Sequence, residues 1–301
     1  MTGSGSYSIS LAGKKLLVVW KGKRSLDILT SLYGAGVHFS SHEAVGPHFR
    51  ISAGKPEEEI ELYRGDRLLY LGPSEGAAAE ILLDSTAHDL AYSFNSGPLL
   101  HAAAVSRNCC GILMPGDSGS GKSTLVAWLA SKGWNYLTDE MAGIETGTRV
   151  IHGLYRSLHL RTPVWAFLGR VIYQRGASVG RGGYRTQRGF IVPIETINPG
   201  NTCQNPILQL IIFPKYVQGV RLAIGPLSIA QTTSRLMGCL VNVRNLPDHG
   251  LSEIVRLARE TPAYALTYGK LDRVSSAIET LLDRSAAESR IKRDRANALH
   301  S

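Results

Sequence analysis

Gly111-Ile112-Leu113-Met114-Pro115-Gly116-Asp117-Ser118-Gly119-Ser120-Gly121-Lys122-Ser123-Thr124-Leu125-Val126 joins an apolar run to a glycine-rich turn and a second apolar run. Its apolar beginning reads as a buried strand, and Gly116 to Ser123 satisfies G-x-x-x-x-G-K-[ST]. A helix is expected from Lys122 to Lys132, with Leu125, Val126 and Leu129 inward and Gly133 at its C-terminus. Strand, glycine turn and helix in that order are the setting that gives a P-loop its meaning. The glycines let successive backbone N–H groups converge on an anion, and the helix N-terminus adds partial positive charge. Lys122 is placed to reach β- and γ-phosphates, and Ser123 to offer its hydroxyl to Mg2+. The expected ligand is therefore ATP or GTP with Mg2+, bound by Gly116, Asp117, Ser118, Gly119, Ser120, Gly121, Lys122, Ser123 and Thr124. Asp117 has two readings, a contact to metal or substrate and a turn-forming residue.

After this helix, Tyr136 to Thr138 begins the next strand, and Asp139-Glu140 ends it, at the phosphate end of a sheet built this way. Carboxylates there have two uses: holding Mg2+, or accepting the proton of an attacking hydroxyl. A polar pair starting a loop is the plain alternative. His101 precedes the P-loop strand in the apolar run Leu99 to Val105, where a histidine is either a satisfied core residue or a catalytic one. Cys109 and Cys110 are read as small buried residues at the start of the P-loop strand, on opposite faces.

Farther out, short strands are expected at Tyr7–Leu11, Leu16–Trp20, His48–Ile51, Glu59–Tyr63 and Leu68–Leu71, then a helix over Ser74–Ala91. After the P-loop region, Ile207–Phe213 reads as a strand covered on both faces and Ala263–Tyr268 as another, flanked by helices Leu251–Glu260 and Leu271–Leu282. Between Gly169 and Phe190 lie Arg170, Arg175, Arg181, Arg185 and Arg188 with no acid, in a glycine-rich segment expected to be a mobile loop. That loop would help to hold a nucleotide or acidic substrate segment, or is simply solvated. Residues 286–301 read as a basic, flexible tail.

The bulk numbers narrow the class. A 301-residue chain with 44% hydrophobic residues can bury one large core or two modest ones. Its apolar runs are far shorter than the roughly 20 residues of a membrane helix, so no membrane partner is expected. Four cysteines without C-x-x-C spacing give neither a disulfide framework nor a zinc site, and a cytoplasmic location is expected. The net charge of +9 would suit an anionic partner. Nucleic acid is not the expected one, because the basic segment has only Tyr173, Tyr184 and Phe190 for stacking.

His101, GDSGSGKS at 116–123 and Thr138-Asp139-Glu140, taken in order, resemble the catalytic domain of HPr kinase/phosphorylase. The likeness runs from His101 to Glu140, with looser similarity of layout over Asn198 to Arg284. It implies a Mg2+-dependent kinase that phosphorylates a serine hydroxyl of a protein or peptide. Glu140 would be the general base, Asp139 would sit with Ser123 at the metal, and His101 would interact with the base. The acidic pair is Asp-Glu where the family has Asp-Asp, and the chain looks more like the divergent HPr-kinase-related proteins, including those that phosphorylate a serine on a biosynthetic precursor peptide. The fold expected is α/β: a P-loop kinase domain with a central mixed or parallel sheet over 97–285, preceded by a small α+β N-terminal domain over 1–96. A hydrolysing NTPase and a non-catalytic nucleotide-gated module are the competing functions, and homo-oligomer formation is left open.

Overall fold

The computed structural model describes residues 3–34, 48–162, 164, 169, 183–201 and 205–285. The fold is mixed α/β, and its contacts divide the chain into two compact units, 1–94 with 153–201, and 95–152 with 202–301. The stretch 97–285, expected as one continuous domain, is thus divided: 153–201 packs with the N-terminal segment.

The first unit is organised on a five-stranded sheet in the order β1 (Ser4–Leu11), β2 (Lys14–Lys21), β3 (Phe49–Ser52), β4 (Ile60–Arg64), β5 (Arg67–Gly72). Only the β2–β3 pair is parallel. Ala12 and Gly13, both at positive φ, close the first hairpin with the twist that matches its strands. Helices α1 (Lys23–Tyr33) and α2 (Glu75–Ser93) pack against this sheet, and Ser74 caps α2 through a bond to Ala77 N–H. A small antiparallel sheet, β11 (Leu158–Arg161), β13 (Gly189–Val192) and β12 (Tyr184–Arg185), completes the unit. Ser157 N–H donates to Leu32 O at 2.7 Å, fastening the start of this sheet to α1.

The second unit is built on an eight-stranded sheet. Its path is β10 (Ile151–Gly153), β9 (Met141–Ile144), β6 (Leu99–Arg107), β7 (Cys110–Pro115), β14 (Ile207–Tyr216), β16 (Ala263–Tyr268), β15 (Ala223–Pro226), with β8 (Asn135–Thr138) also on β6. β7, β14 and β16 run parallel, while β6 is antiparallel to β7, β8 and β9. β6 and β7 form a hairpin whose turn residues Asn108 and Cys109 have φ 50° and 59°. Cys109 is consequently exposed, and the pair is not the buried one expected from sequence. Helices Ile229–Gly238 and Leu251–Glu260 cover one face, where Leu236, Ile254 and Leu257 join Leu100, Ala102, Leu113 and Ile211 in one buried cluster. Strand alternation turns Ala103 and Val105 to the other face. The helix α3 (Lys122–Ser131) also packs on β6 and ends in a Schellman motif, with Gly133 N–H on Ala130 O and Trp134 N–H on Leu129 O. A last helix begins at 274, three residues later than the expected start, although Leu271 is buried.

Most of the arginine-rich segment, including Arg170, Arg175 and Arg181, and the tail 286–301 lie outside the described residues. The described part of the segment is a short hairpin and not an open loop. Arg188 in its turn pairs with Glu80 and, at 2.9 Å, with Asp84 of α2. No helix among the described residues is long and apolar enough to cross a membrane.

Candidate functional site

The strand directions bring three separate pieces of sequence to one edge of the second unit's sheet. β7 ends there at Pro115, and the glycine loop Gly116–Gly121 leads into α3. β8 runs in the same direction as β7, so its end delivers Asp139 and Glu140 to the same edge. β6 runs oppositely, so its beginning brings His101 there. Ala102 N–H bonds Glu140 O at 3.1 Å, which fixes the start of β6 against the turn carrying the acids.

The loop geometry follows from its glycines. Gly119 and Gly121 have φ 88° and 100°, a region where side chains are strained. Gly121 has the further constraint that a Cβ would come within 2.5 Å of the Tyr268 hydroxyl. Ser120 N–H bonds Asp117 O, and Leu125 N–H bonds Gly121 O as the first turn of α3 closes. The Lys122 side chain lies back over the loop, and its ammonium donates to Gly116 O at 2.6 Å and Asp117 O at 3.0 Å. At 5% exposure the lysine is nearly buried. Burial holds its pKa below the usual lysine value, while Glu140, Asp139 and Asp117 pull it upward. A helix start of this kind, with a cation beside it, can receive a polyanion.

Asp139 is buried, and its Oδ1 accepts from Tyr136 OH at 3.2 Å. Thr138 Oγ1 accepts from the N–H groups of Glu140 and Met141, tightening the turn on which the acids sit. Glu140 is more open, and its Oε1 lies 3.8 Å from His101 Nε2. Burial first, and then Lys122, lower the His101 pKa, with Glu140, Asp117 and Asp139 acting oppositely. Lys122, His101, Asp117, Asp139 and Glu140 therefore share one electrostatic neighbourhood. Asp117, Ser118 and Gly119 are exposed at the loop's crest, and Ser123 and Thr124 are partly buried in the first turn of α3.

Two contributions to this edge escape a reading of the sequence. Cys239, just after the helix Ile229–Gly238, accepts a backbone hydrogen bond from Gly116 at its sulfur and gives its carbonyl to His101 N–H at 2.8 Å. Burial raises its thiol pKa. Asn242 anchors the same segment, accepting from Leu99 N–H at 2.8 Å and donating to Gly97 O at 3.0 Å. The second contribution is a tyrosine pair, Tyr216 and Tyr268, at the ends of β14 and β16. Only the long-range pairing of the strands brings any of them here, and no local motif announces them.

The fold and site define an α/β domain with a lysine-bearing glycine loop between a strand and a helix, and an acid pair and a histidine at the same sheet edge. No protein-family model matches the chain. No curated protein matches it either. Among solved structures, the chain is similar to the HPr(Ser) kinase/phosphatase from Coxiella burnetii, at 14% sequence identity and a TM-score of 0.33, over 67% of this chain and 98% of that one. At that distance the likeness carries no functional weight, which falls on the residue geometry of the sheet edge.

Proposed function

We propose that the chain is a kinase that transfers the γ-phosphoryl group of ATP or GTP to a serine hydroxyl of a protein or peptide. The observation that carries this reading is the meeting of the Lys122 loop with Glu140, Asp139 and His101 at one sheet edge. The loop N–H groups and Lys122 would hold the triphosphate, Lys122 leaving its carbonyl partners for phosphate oxygens. Glu140 is the open carboxylate of the pair and suits a general base. It would take the serine proton as the hydroxyl oxygen bonds to phosphorus and the bond to the nucleoside diphosphate breaks. His101, beside Glu140, would orient that carboxylate.

The donor set fits Mg2+. Mg2+ in phosphoryl-transfer sites takes one or two carboxylates plus phosphates, and Asp139 and Glu140 offer carboxylates in the electrostatic neighbourhood of Lys122. Asp139 and the Ser123 hydroxyl would hold it, and when bound it neutralises charge on the phosphates. The bond from Tyr136, which orients the buried Asp139 carboxylate, supports this reading.

The test is incubation of the protein with γ-labelled ATP, Mg2+ and peptides carrying serine, with the labelled residue located afterwards. Label on a serine supports the kinase reading. Rapid release of phosphate with no acceptor labelled identifies a hydrolase, and tight binding without turnover identifies a nucleotide-gated module.

A further inference from the structure

The glycine loop has two flanks of different chemistry. On the β6 side of β7 stand His101 and the acids; on the β14 side the parallel strands β14 and β16 end at Tyr216 and Tyr268. Both tyrosines are tied to the loop. Tyr216 N–H donates to Ser120 O at 3.0 Å, and Tyr268 OH donates to Gly121 O at 3.1 Å. A Cβ on Gly121 would stand 3.1 Å from the Cβ of Tyr216, so that side chain rises directly beside the last glycine of the loop.

The pair divides its duties by exposure. Tyr268 is 1% exposed and its ring centroid lies 5.8 Å from that of Tyr216, tilted by 63°, which is an edge-on support. Tyr216 is 50% exposed, a large ring held at the surface by a rigid neighbour. Such a ring offers a π-face that a flat, partly apolar ligand can cover.

With the loop as the phosphate site, a bound triphosphate has its γ end toward Glu140 and Asp139, where the acceptor must react. Its nucleoside end then leaves on the opposite flank, toward β14. We propose that the exposed ring of Tyr216 is the stacking platform for the purine base of the nucleotide, and that Tyr268 is a positioning residue that holds the platform. The inference rests on the phosphate-loop reading and adds to it the subsite for the base. Stacking uses the π-face common to all bases, so the platform serves adenine and guanine alike.

The experiment titrates the full chain, in Mg2+, with ATP, GTP and inorganic tripolyphosphate. Tyr216→Ala is expected to weaken both nucleotides roughly tenfold while tripolyphosphate binds with parental affinity, since base–aromatic stacking is lost and the phosphate loop is not. Tyr216→Phe, which keeps the ring, restores nucleotide affinity relative to Tyr216→Ala. Lys122→Ala weakens all three ligands, which separates the two subsites. Parental ATP affinity in Tyr216→Ala, or an equal loss for tripolyphosphate, overturns the platform and leaves the loop assignment standing. A parent chain that binds none of the three ligands overturns the loop assignment and the platform with it.

Discussion

At the residue scale, the acid pair is the sharpest point of the proposed mechanism, because its two members sit in different surroundings. Asp139 is buried and accepts from Tyr136, whereas Glu140 is open and faces His101. A metal ligand and a general base fail differently when neutralised. Glu140→Gln is expected to bind Mg2+-ATP normally and to lose at least about a hundredfold in transfer rate, since the amide accepts no proton. Asp139→Asn is expected to raise the Mg2+ concentration needed for half-maximal rate. Rate measurements across a Mg2+ series check both, and exchanged behaviour reverses the two roles. His101 gives a pH signature. Burial and Lys122 lower its pKa below the ordinary 6.5, so the unfolded chain binds this proton at a higher pH than the folded one. The neutral imidazole's contribution to stability is then complete above that ordinary value and is lost as pH falls through the folded one. His101→Gln should flatten this part of the acid-side decline in urea-measured stability. An unchanged slope between the parent and His101→Gln contradicts the assigned direction.

At the scale of elements, the loop and the hairpin of the arginine segment make opposite predictions. Gly121→Ala meets both a left-handed φ of 100° and the Tyr268 hydroxyl, and should cost more than about 1 kcal/mol. In a Tyr268→Phe background part of that cost disappears, because the closest atom has gone; chemical denaturation of the double-mutant cycle reads the coupling, and strict additivity would exclude the contact. Arg188→Ala should instead destabilise the first unit by about 1 kcal/mol, because the nearly buried Glu80 loses its cation, and should leave nucleotide affinity unchanged. A loss of affinity without loss of stability would return Arg188 to a binding role. The loop, α3 and its glycine end are legible in the sequence because their signals are local. The same holds for β1 to β5, whose alternation and positive-φ turns are written within a few residues. Helix α1 is hard to see in the sequence because buried Ser25 and Ser31 interrupt its apolar stripe and Gly22 offers no side-chain cap. The helix Ile229–Gly238 does carry a local signal, the Ser228/Gln231 capping box, but Cys239 and Asn242 after it acquire meaning only through pairing with β6. Long-range pairing of the same kind places residues 153–201 with the N-terminal segment, although chain order alone assigns them to the loop domain.

At the scale of the whole molecule, the sheets of one compact unit are separate from the sheet of the other, yet each unit is assembled from two separate lengths of chain. The proposed nucleotide site draws all its residues from one of them: His101, the loop, the acids and the tyrosines belong to 95–152 and 202–301. A ligand that binds only the folded form of one unit stabilises that unit by mass action, by about 2.7 kcal/mol at a hundred times its dissociation constant. Hydrogen exchange in rising denaturant can read the two units separately, through peptides covering Ser4–Lys21 of the first sheet and Leu99–Thr138 of the second. Saturating Mg2+-ATP is expected to slow the large-scale opening of Leu99–Thr138 by roughly a hundredfold, the factor that this stabilisation implies, and to leave Ser4–Lys21 at its parental rate. Lys122→Ala should abolish the difference, because the proposed phosphate site loses its cation; ligand-free exchange of the variant, which also loses the lysine's bonds to Gly116 O and Asp117 O, is the baseline for that comparison. Equal slowing of both segments would mean that the units open as one cooperative body, and slowing confined to Ser4–Lys21 would move the nucleotide to the other unit altogether.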